Sequence, residues 1–259
     1  MAAINQRDKY VGMEKINNQG YKMVVEDYYD YDHIIVRFAE PYPCKVQSKI
    51  CHFIRGNIKN HYAPTVCGVG ITGQKYKTTY ENGQHTREYT TWMNMLKRCY
   101  DEKHRYKNPT YFDVKCDPEW LYYENFYEWF VSQDNYEILK DANYCLDKDI
   151  LIKGNRMYAP DKCTLVPNKV NNLLLKSNAI RGDCPVGTHK YHKRFVASCG
   201  GKENHVYIGI YPTVEEAFAA YKNYKENEIK KVAQEEFDKG TITKKCYDAL
   251  MNYQIEITD

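Results

Sequence analysis

Short runs of apolar residues, many of them β-branched, mark the N-terminal part of the chain. Residues 21–38 contain two such runs divided by an acidic turn, and a third run covers residues 45–53. Such runs are typical of strands. The pattern predicts a small antiparallel β-barrel or meander, which we assign to a β-rich domain over residues 1–75.

From Thr91 onward, apolar residues recur at intervals of three and four residues. Apolar side chains at this spacing lie on one face of an amphipathic helix, while Lys97 and Arg98 lie elsewhere on its surface. A second helix, rich in aromatic residues, is predicted over residues 124–132, and we assign a central domain to residues 76–178. The predicted buried face of the first helix consists of Trp92, Met95, Leu96 and Cys99.

In the last third, three strand-like segments with short polar turns precede a helix. Thr213 is a suitable N-cap residue for this helix, with Glu215 and Glu216 in its first turn. Because an apolar stripe follows at helical spacing, the helix is expected to cover one face of a three-stranded sheet and to leave the other free. These elements predict a third domain over residues 179–259 and an α+β fold for the whole chain.

Composition narrows the class of protein. A chain of 259 residues with 43% hydrophobic content is long enough for two or three small cores. Its N-terminus lacks an apolar signal region and no run approaches about eighteen apolar residues, so we expect a cytoplasmic protein without a membrane partner. The ten cysteines include no C-x-x-C pair, which favours free, mostly buried thiols over disulfides or zinc ligands.

Net charge and tyrosine content leave the function open. The formal charge of +3 is too small to indicate a nucleic-acid partner by itself, because affinity for phosphate depends on where the charge lies. The 26 tyrosines provide stacking faces and hydroxyl groups, but an AT-rich genome also encodes tyrosine often. Both explanations of the tyrosines stay open.

Gly68, Gly70 and Gly73 spell G-x-G-x-x-G, a motif that cradles pyrophosphate when it joins a strand to a helix. Here strand-like residues follow, and Asn82 and Gly83 form a strong hairpin signal. The glycines therefore predict turns rather than a nucleotide site.

Residues 89–174 contain three ordered motifs: W-x-x-M-L-x-R-C-Y, E-N-F-x-x-W-F and L-D-x-D-x-x-x-x-G-N-x-x-Y-x-P-x-x-C. This region resembles phage and mobile-element proteins related to HNH endonucleases. The resemblance implies a ββα module with flanking helices. In active members a divalent metal such as Mg²⁺ is bound and a histidine deprotonates the attacking water.

The chain departs from that pattern at the expected general base. Lys148 stands at this position, and no histidine lies between His104 and His189. A protonated lysine cannot ligate a metal, so we expect a degenerate module with no assigned metal. The candidate catalytic residues are Asp147, Lys148, Asp149 and Asn155. The carboxylate and amide side chains of these residues form either a metal or phosphate site or the hydrogen bonds that close a loop.

The C-terminal segment resembles the DNA-binding domains of the ethylene-response-factor type. The shared pattern is a Val186-Gly187 pair, an aromatic residue followed by small ones at 195–197, Tyr207-Ile208-Gly209, and T-x-E-E-A-x-x-A-Y from Thr213. Phe195 stands where the family prefers tryptophan. The resemblance implies that the free sheet face enters the major groove of double-stranded DNA.

Charge supports this implication. Residues 181–211 contain five lysines and arginines against two acidic residues, so the excess of three equals the formal charge of the whole chain. An ordinary solvated hairpin tip is the alternative for the basic run at 189–194. The DNA-contact candidates are Lys190, His192, Lys193, Arg194, Lys202 and Tyr207.

The sequence thus favours a double-stranded DNA-binding protein of phage or mobile-element origin, related to homing endonucleases and catalytically degenerate. One alternative is an active HNH-type endonuclease that requires Mg²⁺ or another divalent metal. Another is a phage accessory protein that inhibits a host defence complex by contact with a host protein through its tyrosine-rich surface. A second basic cluster at residues 97–107 predicts either phosphate contact or a solvated helix end.

Overall fold

The computed structural model describes residues 5–140, 142–174, 183–200 and 205–259. It contains antiparallel sheets and helices, which confirms the α+β class. The chain forms two compact units, residues 1–128 and 129–259, whereas our division into three domains stays a prediction. Over the described ranges, no helix has the length and apolar character needed to cross a membrane.

The first unit begins with a four-stranded antiparallel sheet in the order β1-β2-β3-β4. Met23, Val36 and Phe38 are fully buried and form one core with Ile50 and Phe53 of the following helix. This confirms a meander, but the third predicted run, residues 45–53, is a strand only as far as Ser48, and its residues 50–53 belong to the following helix. No pairing of β1 with β4 is found between residues 5 and 128, so closure into a barrel stays a prediction. The elements are α1 (Gln6–Tyr10), β1 (Glu14–Ile16), β2 (Lys22–Tyr28), β3 (Ile34–Phe38), β4 (Cys44–Ser48) and α2 (Ile50–Arg55).

The remainder of this unit is mainly helical. The Thr86 side chain caps the first of its helices by accepting a hydrogen bond from the Tyr89 amide, 3.2 Å away. The four apolar residues predicted to form the inner face of this helix are all buried, which confirms the helical spacing. The elements are α3 (Arg87–Tyr100), α4 (Glu102–Lys107), a 3₁₀ turn (Pro109–Tyr111), β5 (Lys115–Cys116), a second 3₁₀ turn (Pro118–Leu121) and α5 (Tyr123–Val131), which continues past residue 128.

The glycine-rich segment serves close packing and turns. A Cβ on Gly70 would lie 2.5 Å from Leu96 Cδ1, and one on Gly73, where φ is +68°, would lie 2.1 Å from Glu124 Oε1. The same Glu124 oxygen accepts hydrogen bonds from the amides of Gln74 and Lys75, each at 2.9 Å. Gly68, with a φ of +74°, lies in the turn between the paired residues Val66 and Gly70, as the sequence predicted.

The first part of the second unit contains a hairpin followed by a helix. Strands β6 and β8 pair antiparallel and α7 follows directly, the order predicted for a ββα arrangement. The fully buried Asn135 donates from Nδ2 to the carbonyl oxygens of Leu165 in β8, at 3.0 Å, and Thr241, at 2.8 Å. The elements are α6 (Tyr136–Leu139), β6 (Tyr144–Asp147), β7 (Met157–Tyr158), β8 (Thr164–Pro167) and α7 (Asn168–Leu173).

The predicted three-stranded sheet and helix complete this unit. The sheet has the order β11-β10-β9, and one face packs on α8 through Ala197, Phe218 and Tyr221. Thr213 caps α8 as predicted, accepting from the Glu216 amide. These findings confirm both the sheet and its helical cover. The elements are β9 (Thr188–Tyr191), β10 (Arg194–Cys199), β11 (Val206–Tyr211), α8 (Val214–Asp238) and α9 (Lys244–Met251).

All ten cysteines are free thiols and are at least partly buried. Burial raises the pKa of Cys163 and of Cys246 to about 12. These two thiols therefore remain protonated and unreactive at neutral pH.

Candidate nucleic-acid interface

Cross-strand register divides the β9–β10–β11 sheet into two faces, because directly opposed residues point to the same side. Phe195 pairs with Lys190 and with Tyr211, and Phe195 packs on the core beneath α8. Arg194 pairs with Tyr191 and therefore points away from the helix. By the same register, the outer face consists of His189, Tyr191, Arg194, Val196, Ser198, Tyr207 and Ile210.

A β-bulge places Tyr207 on this outer face. Ala197 pairs with Gly209, but the next residue, Ser198, pairs with Tyr207, so that β11 contains one extra residue, Ile208. Ile208 packs against the core and Tyr207 points outward. Simple alternation from Gly209 would have turned Tyr207 toward the helix.

Two exposed tyrosines and one arginine dominate the outer face. Tyr191 is 55% exposed and Tyr207 is 60% exposed. Arg194, the cross-strand partner of Tyr191, is also exposed. Val196, in the central strand, is flanked by His189 on β9 and Ile210 on β11. The face thus combines hydrogen-bonding side chains at its edges with an apolar centre.

The sheet carries positive charge without compensation. Residues 188–200 and 205–213 include no aspartate or glutamate. Within the described residues, no carboxylate lies within 4 Å of the charged groups of Lys190, Lys193 or Arg194. An anion approaching Lys193 or Arg194 therefore does not have to displace an internal ion pair.

The turn between β9 and β10 extends this charged surface. His192 adopts a φ of +54°, a left-handed conformation that histidine accepts more readily than most residues. Its ring lies 4.6 Å from the Tyr191 ring in a T-shaped contact. His192 and Lys193 are both exposed at this tip.

The structure brings together most of the predicted DNA-contact residues. Arg194 and Tyr207 lie on the outer face, and His192 and Lys193 lie in the adjoining turn, whereas Lys190 lies on the opposite face and Lys202 lies outside the described residues. The predicted DNA-contact residues do not include His189, Tyr191 and Ser198. His189 and Tyr191 share a face by alternation along β9, and the two-residue turn pairs Tyr191 with Arg194, so the hairpin pattern could have grouped these three residues.

The candidate catalytic residues form a tightly bonded loop between β6 and β8. Asp147 Oδ1 accepts hydrogen bonds from the amides of Asp149, at 2.7 Å, and Ile150, at 2.8 Å. Asn155 Nδ2 donates to the carbonyls of Lys148, at 2.8 Å, and Met157, at 2.7 Å. Of the two roles left open by the sequence, these contacts fit loop closure.

Lys148 is buried at the centre of this loop, with only 7% of the residue exposed. Its ammonium group donates to both carboxylate oxygens of Asp149, at 2.8 and 2.7 Å, and to the carbonyl oxygen of Asn155, at 2.9 Å. All three donors of the ammonium group are therefore used within the loop.

A divalent cation does not fit this arrangement. The Lys148 ammonium already neutralises Asp149, and its charge would repel a metal ion at the same carboxylate. Burial raises the pKa of Asp147, so this carboxyl is less readily ionised than an ordinary aspartate. In the part of the chain that the structure describes, no three histidine, cysteine, aspartate or glutamate side chains are grouped as metal ligands.

A scan against protein-family models, a search of curated proteins and a search of solved structures each find no match to this chain. The resemblances to HNH endonucleases and to ethylene-response-factor domains therefore stay predictions.

Proposed function

We propose that the chain binds double-stranded DNA through the outer face of the β9–β10–β11 sheet and the adjoining turn. The observation that carries the proposal is an outer sheet face on which Tyr191, Arg194 and Tyr207 are exposed around the buried Val196, with no carboxylate in its strands. The proposal retains the predicted phage or mobile-element origin, the host cytoplasm as the site of action, and a central module without catalytic activity.

Dimensions and chemistry both suit this ligand. The major groove of B-DNA is about 12 Å wide and accepts a two-stranded β-ribbon. An arginine pointing from such a ribbon donates two hydrogen bonds to one guanine, while tyrosine and serine hydroxyls reach phosphate oxygens. Arg194, Tyr191 and Ser198 have these roles in the proposal.

The two sheet faces allow a matched test. Arg194→Glu and Lys190→Glu each reverse one charge in the same hairpin, but only Arg194 lies on the outer face. We expect Arg194→Glu to weaken duplex binding by roughly tenfold or more, because it removes an attraction and adds a repulsion. Lys190→Glu should have a much smaller effect in the same gel-shift titration at low salt.

Equal losses for the two variants would show that only net charge matters and would overturn the assignment of the outer face. Wild-type protein that ignores duplex DNA at low salt would overturn the function itself. Retention of a host protein by such a preparation would favour the predicted alternative of inhibition by protein contact. Plasmid cleavage with Mg²⁺ that Asp149→Ala abolishes would favour the endonuclease alternative.

A further inference from the structure

Helix α4 in the first unit presents an aromatic and basic stripe to solvent. Lys103, Tyr106 and Lys107 lie three and four residues apart, hence on one side of the helix, and all are exposed. His104 and Arg105 turn toward the 3₁₀ turn that follows the helix. The exposed stripe is therefore a tyrosine with one lysine a turn before it and another beside it.

Contacts hold a second aromatic ring next to this helix. Arg105 Nη2 donates to the carbonyl oxygen of Phe112, and the Arg105 guanidinium lies 5.1 Å from the centre of the Phe112 ring. The ring of the preceding residue, His104, lies 5.8 Å from the Tyr111 ring. Phe112 is thus fixed beside α4 rather than free to turn inward.

Both rings face water to an unusual degree. Tyr106 is 84% exposed and Phe112 is 58% exposed. In the described ranges, no carboxylate lies within 4 Å of the Lys103 or Lys107 ammonium group. The nearby Asp101 accepts a hydrogen bond from the His104 amide at 2.6 Å, so this carboxylate serves the start of the helix.

We propose that this surface, formed by Lys103, Arg105, Tyr106, Lys107 and Phe112, binds single-stranded nucleic acid. Exposed rings offer faces on which bases stack, and the neighbouring ammonium groups pair with the phosphates between those bases. Stacking on a protein ring requires an unpaired base, since the faces of paired bases are already covered by their neighbours. Charge agrees, because residues 97–115 contain six lysines and arginines against three acidic residues.

This surface belongs to the first unit and the duplex-binding sheet belongs to the second, so either proposal can fail without the other. The probe is a fluorescently labelled oligothymidylate of about 12 nucleotides, a length within the range that one such surface covers. Binding to the full chain is measured by anisotropy.

We expect Tyr106→Ala and Phe112→Ala each to weaken oligothymidylate binding by roughly fivefold or more. Tyr106→Phe should retain near wild-type affinity, because the ring face is kept. Tyr29→Ala is the matched control, since Tyr29 is also an exposed tyrosine of the first unit but lies beside Asp30. This control should bind as wild type does.

Wild-type protein with no affinity for oligothymidylate would overturn the proposal, as would Tyr106→Ala and Phe112→Ala with unchanged affinity. A loss confined to duplex binding would also contradict it. Tyr106 makes so little contact that its replacement should leave circular dichroism and the melting temperature unchanged. An affinity loss without such a change therefore reports on the surface itself.

Discussion

Lys148 shows how one residue changes the expected chemistry of a loop. The resemblance places a histidine base at this position, but the lysine is buried and its donors are all occupied by Asp149 and Asn155. A base needs a free lone pair that faces its substrate. The Lys148 side chain instead holds the β6–β8 loop closed.

Replacing Lys148 tests this role. Lys148→Met removes the hydrogen bonds and leaves the Asn155 carbonyl without its partner, so the free energy of unfolding should fall by about 1–3 kcal/mol. Lys244→Met is the control, because Lys244 forms an exposed pair with Asp248 that contributes little. Urea denaturation of both variants measures the difference. Equal, small losses would contradict a structural role for Lys148.

Asp147 should link stability to pH. Burial raises the pKa of the Asp147 carboxyl. At neutral pH the ionised carboxylate is buried in the folded chain but hydrated in the unfolded chain. Ionisation of Asp147 therefore lowers the stability of the folded chain. Asp147→Asn keeps the oxygen acceptor without the charge. We therefore expect this variant to be more stable than wild type at pH 7.

The stability difference between Asp147→Asn and wild type should shrink as the pH falls below the raised pKa. It should vanish near about pH 3, where Asp147 is protonated in both states. Urea midpoints at several pH values measure it. Asp147→Ala, which lacks the acceptor, should be destabilised throughout, and a constant gain for Asp147→Asn would exclude ionisation as the cause.

At the scale of elements, the sheet and α8 meet at a glycine. Gly187 has a φ of +74°, and a Cβ there would lie 2.0 Å from the Tyr221 ring. Gly187→Ala should therefore lower the free energy of unfolding by more than about 2 kcal/mol, through backbone strain and a clash together. Circular dichroism during urea denaturation measures the loss.

The matched variant is Gly154→Ala in the same unit. Gly154 has a similar φ of +76° but nothing within 4 Å of the added Cβ, so only the backbone strain of about 1–2 kcal/mol should appear. If both variants lose the same stability, the close packing of Gly187 on Tyr221 is not important for the fold.

Periodicity predicted the helices and strands well because it depends only on which side of an element is buried. The spacing of Trp92, Met95 and Leu96 was sufficient to place α3, and the Thr213 cap placed the start of α8. The outer face was harder to predict. The bulge at Ile208 reverses the direction of Tyr207, and a single strand contains no signal for a bulge that forms against its neighbour.

At the scale of the whole molecule, the small net charge limits how strongly DNA can attract the chain. The outer face and its turn carry Lys193 and Arg194 among the described residues. If these two cations offset about two phosphate charges, log K should fall with log salt concentration with a slope of about −1.8. Lys193→Ala should reduce that slope by about one, and gel shifts over a range of salt concentrations measure both values. A slope much steeper than this would place the main contacts elsewhere.

The division of the chain into two compact units was not predictable from local patterns. The boundaries near residues 75 and 178 stay a prediction, whereas the two compact units divide after residue 128. Compactness depends on contacts between residues far apart in the chain. Lys148 and Asn135 illustrate the difficulty, because nothing in their neighbouring sequence indicates that both are buried. Asn135 donates a hydrogen bond to the carbonyl oxygen of the distant Thr241. Lys148 donates one to the carbonyl oxygen of Asn155 in its own loop.

The amide of Asn135 joins β8 to the segment between α8 and α9, where its acceptor Thr241 lies 106 residues after Asn135 itself. Removing the chain from Thr241 onward would leave one hydrogen of the Asn135 amide unsatisfied inside the protein. Protease nicking near residue 241 should therefore loosen the β6–β8 hairpin as well as the cut end. A fragment designed to fold as the second unit should therefore include the last twenty or so residues of the chain as well as the start of the unit.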